Sequence, residues 1–254
     1  MTLLTVSKGL VPEFVNPKYK DASRTEYLQP VRLESMMQDY PKLLLQYPEL
    51  KVSHTHLIIT YPRFLAWSPV KNAPARAKIQ AAKTGNPESA ASGEADQLAL
   101  YRKLLLSVND CPICNPDGEE RIVMEEGAYV ILGAECGSTT EEIHKHIGKN
   151  VVLKKGSILI VNCKNWKLDS VVVNGVLVLN APDTCEMILK NVVVENQGWH
   201  YETISHDDPN YSVVFQMRGH IVNRVEQCVL SRNAPGICVF EDRRFVSNVE
   251  VIEN

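Results

Sequence analysis

The sequence predicts an α/β segment followed by an all-β domain, and three observations carry that division. Apolar residues recur at three- and four-residue spacing only before Val108. Beyond Glu119, short β-branched runs follow one another between Gly and Asn turns. Those runs recur about every 17 to 20 residues from Val151 to Val171 to Ile188, within the range expected for coils of a β-solenoid. The boundary falls between Ser107 and Gly118, which divides the chain into residues 1–110 and 111–254. With 254 residues, 44% of them hydrophobic, the chain can bury a substantial core.

Met1 to Pro12 has little pattern and reads as a lead-in. Phe14-Val15 predicts a short strand, ended by the turn at Asn16-Pro17. From Gln29 to Tyr40 the spacing predicts a helix, with Pro30 in its first turn, Leu33, Met36, Met37 and Tyr40 on one face, and Pro41 as the stop. Glu34 lies off that face, where a carboxylate either contacts a ligand or serves the positive end of the helix dipole. Leu57, Ile58, Ile59, Tyr61, Phe64, Leu65 and Trp67 predict a buried strand despite Pro62. Pro69 has no amide hydrogen and ends its pairing, so Lys71 lies just past a strand end. That is where ligands bind in open α/β sheets, and a compact ammonium suits phosphate oxygens. The local pattern alone fits a solvated surface lysine as well. Ala73 to Asp96, broken by Pro74, Gly85, Pro87 and Gly93, predicts a mobile loop that either orders over a ligand or acts as a tether. Ser92-Gly-Glu reads as a helix start leading into Ala95–Val108, with Leu98, Tyr101, Leu105 and Val108 on one face.

Cys111-Pro-Ile-Cys114 adjoins Asn115-Pro-Asp-Gly118, a tight turn and candidate hairpin tip. One Cys-x-x-Cys pair is half of a zinc site. No second pair exists, and Cys136, His144 and His146 lack the usual spacing, so the sequence assigns no metal ligand. Pro112 also denies the pair the helix N-terminus that a redox role needs, and His54-x-His56 lacks a third ligand. Strands are expected at Ile122–Met124, Tyr129–Leu132, Val151–Leu153, Ile158–Val161, Val171–Val173, Val176–Leu179, Ile188–Val194 and Val213–Met217. Asn174-Gly175 is also a two-residue hairpin signal, so an antiparallel sandwich or barrel stands beside the solenoid. Arg218 to Asn254 reads as a last strand pair and cap.

The 27 basic and 30 acidic side chains form no block of like charge, which argues against a nucleic-acid groove or an anionic-membrane surface. No apolar run approaches the roughly 18 to 20 residues needed to cross a bilayer, and Met1 to Lys8 lacks the apolar core of a signal peptide. Seven cysteines, an odd number spread from Cys111 to Cys238, read as buried thiols of a cytoplasmic protein rather than a disulfide framework.

Four stretches occur in a telling order: Asn16-Pro-Lys-Tyr-Lys-Asp21, Arg32-Leu-Glu-Ser-Met-Met-Gln-Asp-Tyr-Pro-Lys42, Ser68-Pro-Val-Lys-Asn72 and Gly85-Asn-Pro-Glu-Ser-Ala-Ala-Ser-Gly-Glu94. Together they resemble the C-terminal half of UDP-sugar pyrophosphorylases, the UTP:monosaccharide-1-phosphate uridylyltransferases of plants and protists. Asn196-Gln-Gly-Trp199 and Arg218-Gly-His-Ile-Val-Asn-Arg-Val-Glu-Gln227 add a weaker match. The resemblance implies the end of a Rossmann-like nucleotidyltransferase core and a C-terminal β-helix-like domain. It implies UTP, UDP-sugar and a sugar 1-phosphate as partners, with Mg²⁺ as the ion of the complete enzyme. Lys71 takes the catalytic role on this basis, and Asn16, Lys18, Glu34 and Asn72 take substrate-binding roles. The family's Gly-rich loop and its magnesium-holding aspartate belong to its N-terminal half. This sequence has 13 glycines and no Gly-x-Gly or Gly-Gly, so the expectation is a chain inactive by itself, holding the sugar-phosphate side. The alternative is a non-catalytic sugar-phosphate-binding or oligomerisation module. Cys111 to Gly118 has no counterpart in the family pattern, and solenoid edges invite self-association.

Overall fold

Parallel strands need a crossover between neighbours, and in this protein each crossover is supplied by a strand of a second parallel sheet. The computed structural model describes residues 13–15, 17–31, 33–35, 67–137, 139–203 and 220–254. The lead-in, Asn16, the expected strand before Trp67, His54, His56 and the expected strand at 213–217 lie outside the described residues. The chain divides into two units, residues 1–60 and 61–254.

In the first unit, β1 (Glu13–Val15) pairs antiparallel with β2 (Leu33–Ser35), with Phe14 opposite Glu34. The strand expected at Phe14-Val15 is present, whereas of the helix expected from Gln29 to Tyr40 the described residues are not helical and Leu33–Ser35 form β2; residues 36–40 lie outside the described residues. Chain reversal explains the difference. Tyr19 bridges Tyr27, their rings stack at 5.5 Å, and Leu28 N–H donates to the Lys18 carbonyl at 2.7 Å. Ser23 N–H donates to the Asp21 carboxylate at 2.8 Å within that reversal. The chain is thereby turned back, and cross-strand pairing overrides the 3.6-residue spacing of the apolar positions.

In the second unit, one helix and the first turns of another occupy the stretch where a mobile loop was expected, and the rest of the latter is the helix expected over Ala95–Val108. α1 (Pro74–Thr84) has proline in its first turn and ends on Gly85, whose left-handed conformation lets its N–H reach the Ala81 carbonyl at 2.8 Å. Pro74 and Gly85 are thus the start and stop of one helix rather than breaks in a loop. α2 (Ala90–Leu106) starts at Ser89, whose side chain and that of Ser92 cap each other's backbone N–H groups. Its start precedes the expected one because a serine at the third helical position completes the cap as a glutamate would. Gly93, inside the first turn, admits Val70: a Cβ there would lie 2.7 Å from Val70 Cγ2.

Turns at 107–118 lead into the strands and form no hairpin. The strands are β3 (Ile122–Met124), β4 (Tyr129–Leu132), β5 (Val151–Leu153), β6 (Ile158–Asn162), β7 (Asn165–Asn174), β8 (Val176–Asn180), β9 (Cys185–Glu195), β10 (Trp199–Thr203), β11 (His220–Arg224), β12 (Cys228–Arg232), β13 (Gly236–Val246) and β14 (Val249–Glu253). A 3₁₀ turn (Ala134–Cys136) and α3 (Thr140–His144) lie between β4 and β5. Two five-stranded sheets run β13-β9-β7-β5-β3 and β14-β12-β8-β6-β4, parallel at each pairing, while β10 and β11 form a separate antiparallel pair. Ile158 pairs with Val176 and Asn165 with Glu186.

The antiparallel alternative is overturned at Asn174-Gly175, because β7 and β8 enter different sheets. Gly175 has φ of 116°, and a Cβ there would meet Asn196 Oδ1 at 2.2 Å. That amide oxygen accepts from Val176 N–H at 2.8 Å, so the glycine passes the chain between sheets past an asparagine that ties successive corners together. Residues 218–254 hold four strands rather than a last pair, since β12, β13 and β14 extend the two sheets. Corners stack elsewhere as well: Asn150, Ser170, Asn191 and Asp242 all have φ between 51° and 55°, at equivalent registers.

Alternating burial along most strands of the two five-stranded sheets points Val, Ile and Leu side chains into one core, joined by Leu105 from the end of α2 and Val108 just beyond it. Arg102 anchors α2 to the first strands, its guanidinium donating to the carbonyls of Glu125 at 3.2 Å, Ala128 at 3.0 Å and Met124. Five of the seven cysteines are buried, as the sequence suggests, and burial pushes the Cys163 and Cys228 thiols up to about 12. No described helix is long and apolar enough to cross a membrane.

Candidate functional site

The segment 67–72 lies along the start of α2. Ser68 Oγ donates to Asp96 Oδ2 at 2.5 Å, and Pro69 is buried. The backbone N–H groups of Lys71 and Asn72 both donate to the Glu88 carbonyl, at 2.8 and 3.0 Å, and Asn72 Nδ2 donates to the Pro87 carbonyl at 2.9 Å. Glu88 holds φ of 50°, which aims its carbonyl back at the segment. Main-chain bonds therefore fix where Lys71 leaves the backbone, while its side chain is exposed with Nζ over the Trp67 ring, 5.5 Å from the centroid. Trp67 is itself 62% exposed.

α1 begins three residues after Lys71. No side chain caps it and its first turn carries no acidic residue, but Arg76 and Lys78 lie exposed near its start. A helix N-terminus offers backbone N–H groups and a partial positive charge. Lys71, Arg76 and Lys78 are exposed cations just before and within the first turns of α1.

The structure brings Lys71 and Asn72 together through the Glu88 carbonyl. Lys18 and Glu34 belong to the first unit, Lys18 on the reversal and Glu34 exposed on β2, and Asn16 is outside the described residues.

A second cluster was not legible as a site. Cys111, Cys114 and His144 place their ligand atoms within 4.8 Å of one another. The cysteines lie on the turns after α2, and His144 ends α3, buried against Ser107 Oγ at 2.8 Å from its Nε2. Burial lowers the His144 imidazole below its ordinary value, favouring the neutral ring. A hydrogen bond from Cys114 lowers the Cys111 thiol, and Cys114 is raised in turn. The signal in the sequence was the Cys-x-x-Cys pair; the histidine comes thirty residues later, and only the packing of α3 on α2 closes that gap.

The fold is that of a predominantly parallel-strand, α/β-like protein, with Lys71 exposed just before the start of α1. By sequence the chain is similar to UDP-sugar pyrophosphorylases of plants. It is 34% identical over 243 residues to the UDP-sugar pyrophosphorylase of Oryza sativa subsp. indica, covering 91% of this chain and 36% of that protein. It is 33% identical over 242 residues to that of Oryza sativa subsp. japonica, with the same coverage. The Arabidopsis thaliana protein is 32% identical over 244 residues, 92% of this chain and 37% of its own length. The chain thus spans little more than a third of the curated relatives it matches. No family model matches it.

Proposed function

We propose that this chain corresponds to the C-terminal portion of a UDP-sugar pyrophosphorylase and supplies its sugar-phosphate side. In the reaction of such an enzyme a phosphate oxygen of the sugar 1-phosphate attacks the α-phosphorus of UTP, and pyrophosphate leaves. Transfer of this kind depends on positioning and charge neutralisation rather than on covalent intermediates with the protein. Lys71 contributes a cation held on a fixed backbone and Asn72 orients the segment, while for Asn16, Lys18 and Glu34 the sugar-binding role rests on the family resemblance alone. The observation that carries the reading is the similarity to three pyrophosphorylases over nine-tenths of the chain.

Mg²⁺ is the ion proposed for the complete enzyme, with ligands outside this chain. The group of three donors among the described residues, two sulfurs and an imidazole, does not suit it, since Mg²⁺ demands an octahedral shell of oxygens. We read the two parallel sheets with their stacked corners as a β-solenoid at 111–254, and the functional boundary with the core as lying at 110/111. The cytoplasm is the proposed compartment.

Pyrophosphate release from UTP and glucose 1-phosphate with Mg²⁺ tests the assignment. The isolated 254-residue chain is expected to give no turnover beyond the level of its Lys71→Ala variant. Turnover that Lys71→Ala abolishes would show instead that this chain completes an active site.

A second reading, an oligomerisation module, is favoured by one specific observation. β13 and β14 are unpaired sheet edges among the described residues, and Ile237, Val239, Val246 and Ile252 are exposed on them.

A further inference from the structure

Beyond the phosphate-binding reading and independent of it, we propose that Cys111, Cys114 and His144 form a binding site for a thiophilic divalent cation, with Zn²⁺ as the fitting ion. Two thiolates and one imidazole are a soft donor set that selects zinc over magnesium or calcium. In tetrahedral zinc coordination, sulfur and nitrogen donors stand about 3.6 to 3.8 Å apart, given bonds of about 2.3 and 2.0 Å. The three ligand atoms here lie within 4.8 Å of one another, so a closing of about 1.2 Å at most brings any pair to bonding distance.

The donors are carried on backbone that is already fixed. Cys111 N–H donates to the Val108 carbonyl at 3.2 Å, and Asn115 N–H donates to the Cys111 carbonyl at 2.8 Å. Cys114 N–H donates to Cys111 Sγ at 3.2 Å, an arrangement that stabilises a thiolate. Asn115 is buried, and its amide ties the turn to the Asn109 and Glu119 carbonyls at 2.9 and 2.8 Å. His144 is 5% exposed, with its ring plane set by Ser107. Ile113, between the cysteines, is 91% exposed, so the pair projects as a knuckle that a cation reaches from solvent. Three protein ligands leave one tetrahedral position for water.

A cation held there fastens the turn that leaves α2 to the end of α3. Both flank the first strands of the two sheets, so the site would act as a clip at that end of the core.

The test uses the full 254-residue chain, purified under reducing conditions, stripped with chelator and titrated with Zn²⁺ against a chromophoric competitor, and in parallel with Co²⁺ followed by absorption. The expected result is about one high-affinity ion per chain, a cobalt spectrum with thiolate-to-metal charge transfer, and a rise in melting temperature on adding zinc. Cys111→Ser/Cys114→Ser should lose more than about 100-fold in affinity, beyond what a change outside the ligand shell costs. Cobalt absorption without a thiolate band, affinity unchanged in the double variant, or a Cys111–Cys114 disulfide that persists in reductant would each overturn the site. Should the double variant fail to fold, the wild-type cobalt spectrum decides alone, because it reports thiolate ligation directly.

Discussion

Lys71 owes its position to the Glu88 carbonyl and to Val70 packed at Gly93, and its ammonium takes part in neither contact. Lys71→Ala should therefore leave stability within about 0.5 kcal/mol, as for other exposed side chains. Chemical denaturation midpoints of the two proteins should coincide, so any loss of ligand binding in the variant reads on the cation itself. The cysteines divide on the same principle of exposure. In metal-free chain, Cys111 and Cys114 are the accessible thiols, while Cys136, Cys163, Cys185, Cys228 and Cys238 are buried. Timed alkylation read by mass spectrometry should show two sites modified early and five only on unfolding; early labelling at Cys163 or Cys228 would contradict the packing. The buried thiols were legible from the odd, scattered cysteine count. The meeting of Cys111 and Cys114 with His144 was not, because metal spacing rules describe local loops and this histidine arrives through tertiary packing.

At the scale of elements, α2 is held to the sheets by a guanidinium shared among three carbonyls and by Leu105 and Val108 in the core. Arg102→Ala strands those carbonyls and should cost about 1.5 to 3 kcal/mol, measured as a shift of the urea midpoint. Gly175→Ala should cost more than about 2 kcal/mol, since it combines a left-handed φ with a clash against Asn196, and its melting temperature should fall by at least about 4 °C. An unchanged melting temperature would mean that the corner relaxes freely. Glu125 is held below the ordinary carboxylate range by Lys154 and by the Lys155 backbone. A depressed folded value means stability present above the unfolded value of 4.5 and lost as pH falls through the folded one. Glu125→Gln should accordingly flatten the acid limb of the stability profile. The strands were legible because β-branched runs between Gly and Asn turns mark them locally. The two misread stretches fail for different reasons: from Gln29 a helical apolar spacing yields to pairing with β1, whereas Pro74 and Gly85, read as breaks in a loop, are the start and the left-handed stop of one helix.

At the largest scale, within residues 61–254, the two parallel sheets have unlike edges. α2 packs against β3 and β4 at one end, whereas β13 and β14 present exposed aliphatic residues on unpaired edges at the other. Sedimentation equilibrium should detect self-association, and Val239→Lys should abolish it; a wild-type monomer at high concentration would rule the edge out as an interface. The positions of most strands could be anticipated from the β-branched runs, but their alternation between two parallel sheets could not, because Asn174-Gly175 serves a hairpin and a crossing between sheets equally well until its partner Asn196 is in place. The central claim is that Lys71 beside the start of α1 receives the phosphate of a sugar 1-phosphate. Isothermal titration of the chain with glucose 1-phosphate, and with glucose as the uncharged control, tests it most directly. The account predicts binding of the phosphate ester, none of glucose, and a loss of at least about 10-fold in Lys71→Ala, the scale of one charge-assisted contact. Equal binding by wild type and Lys71→Ala would contradict it.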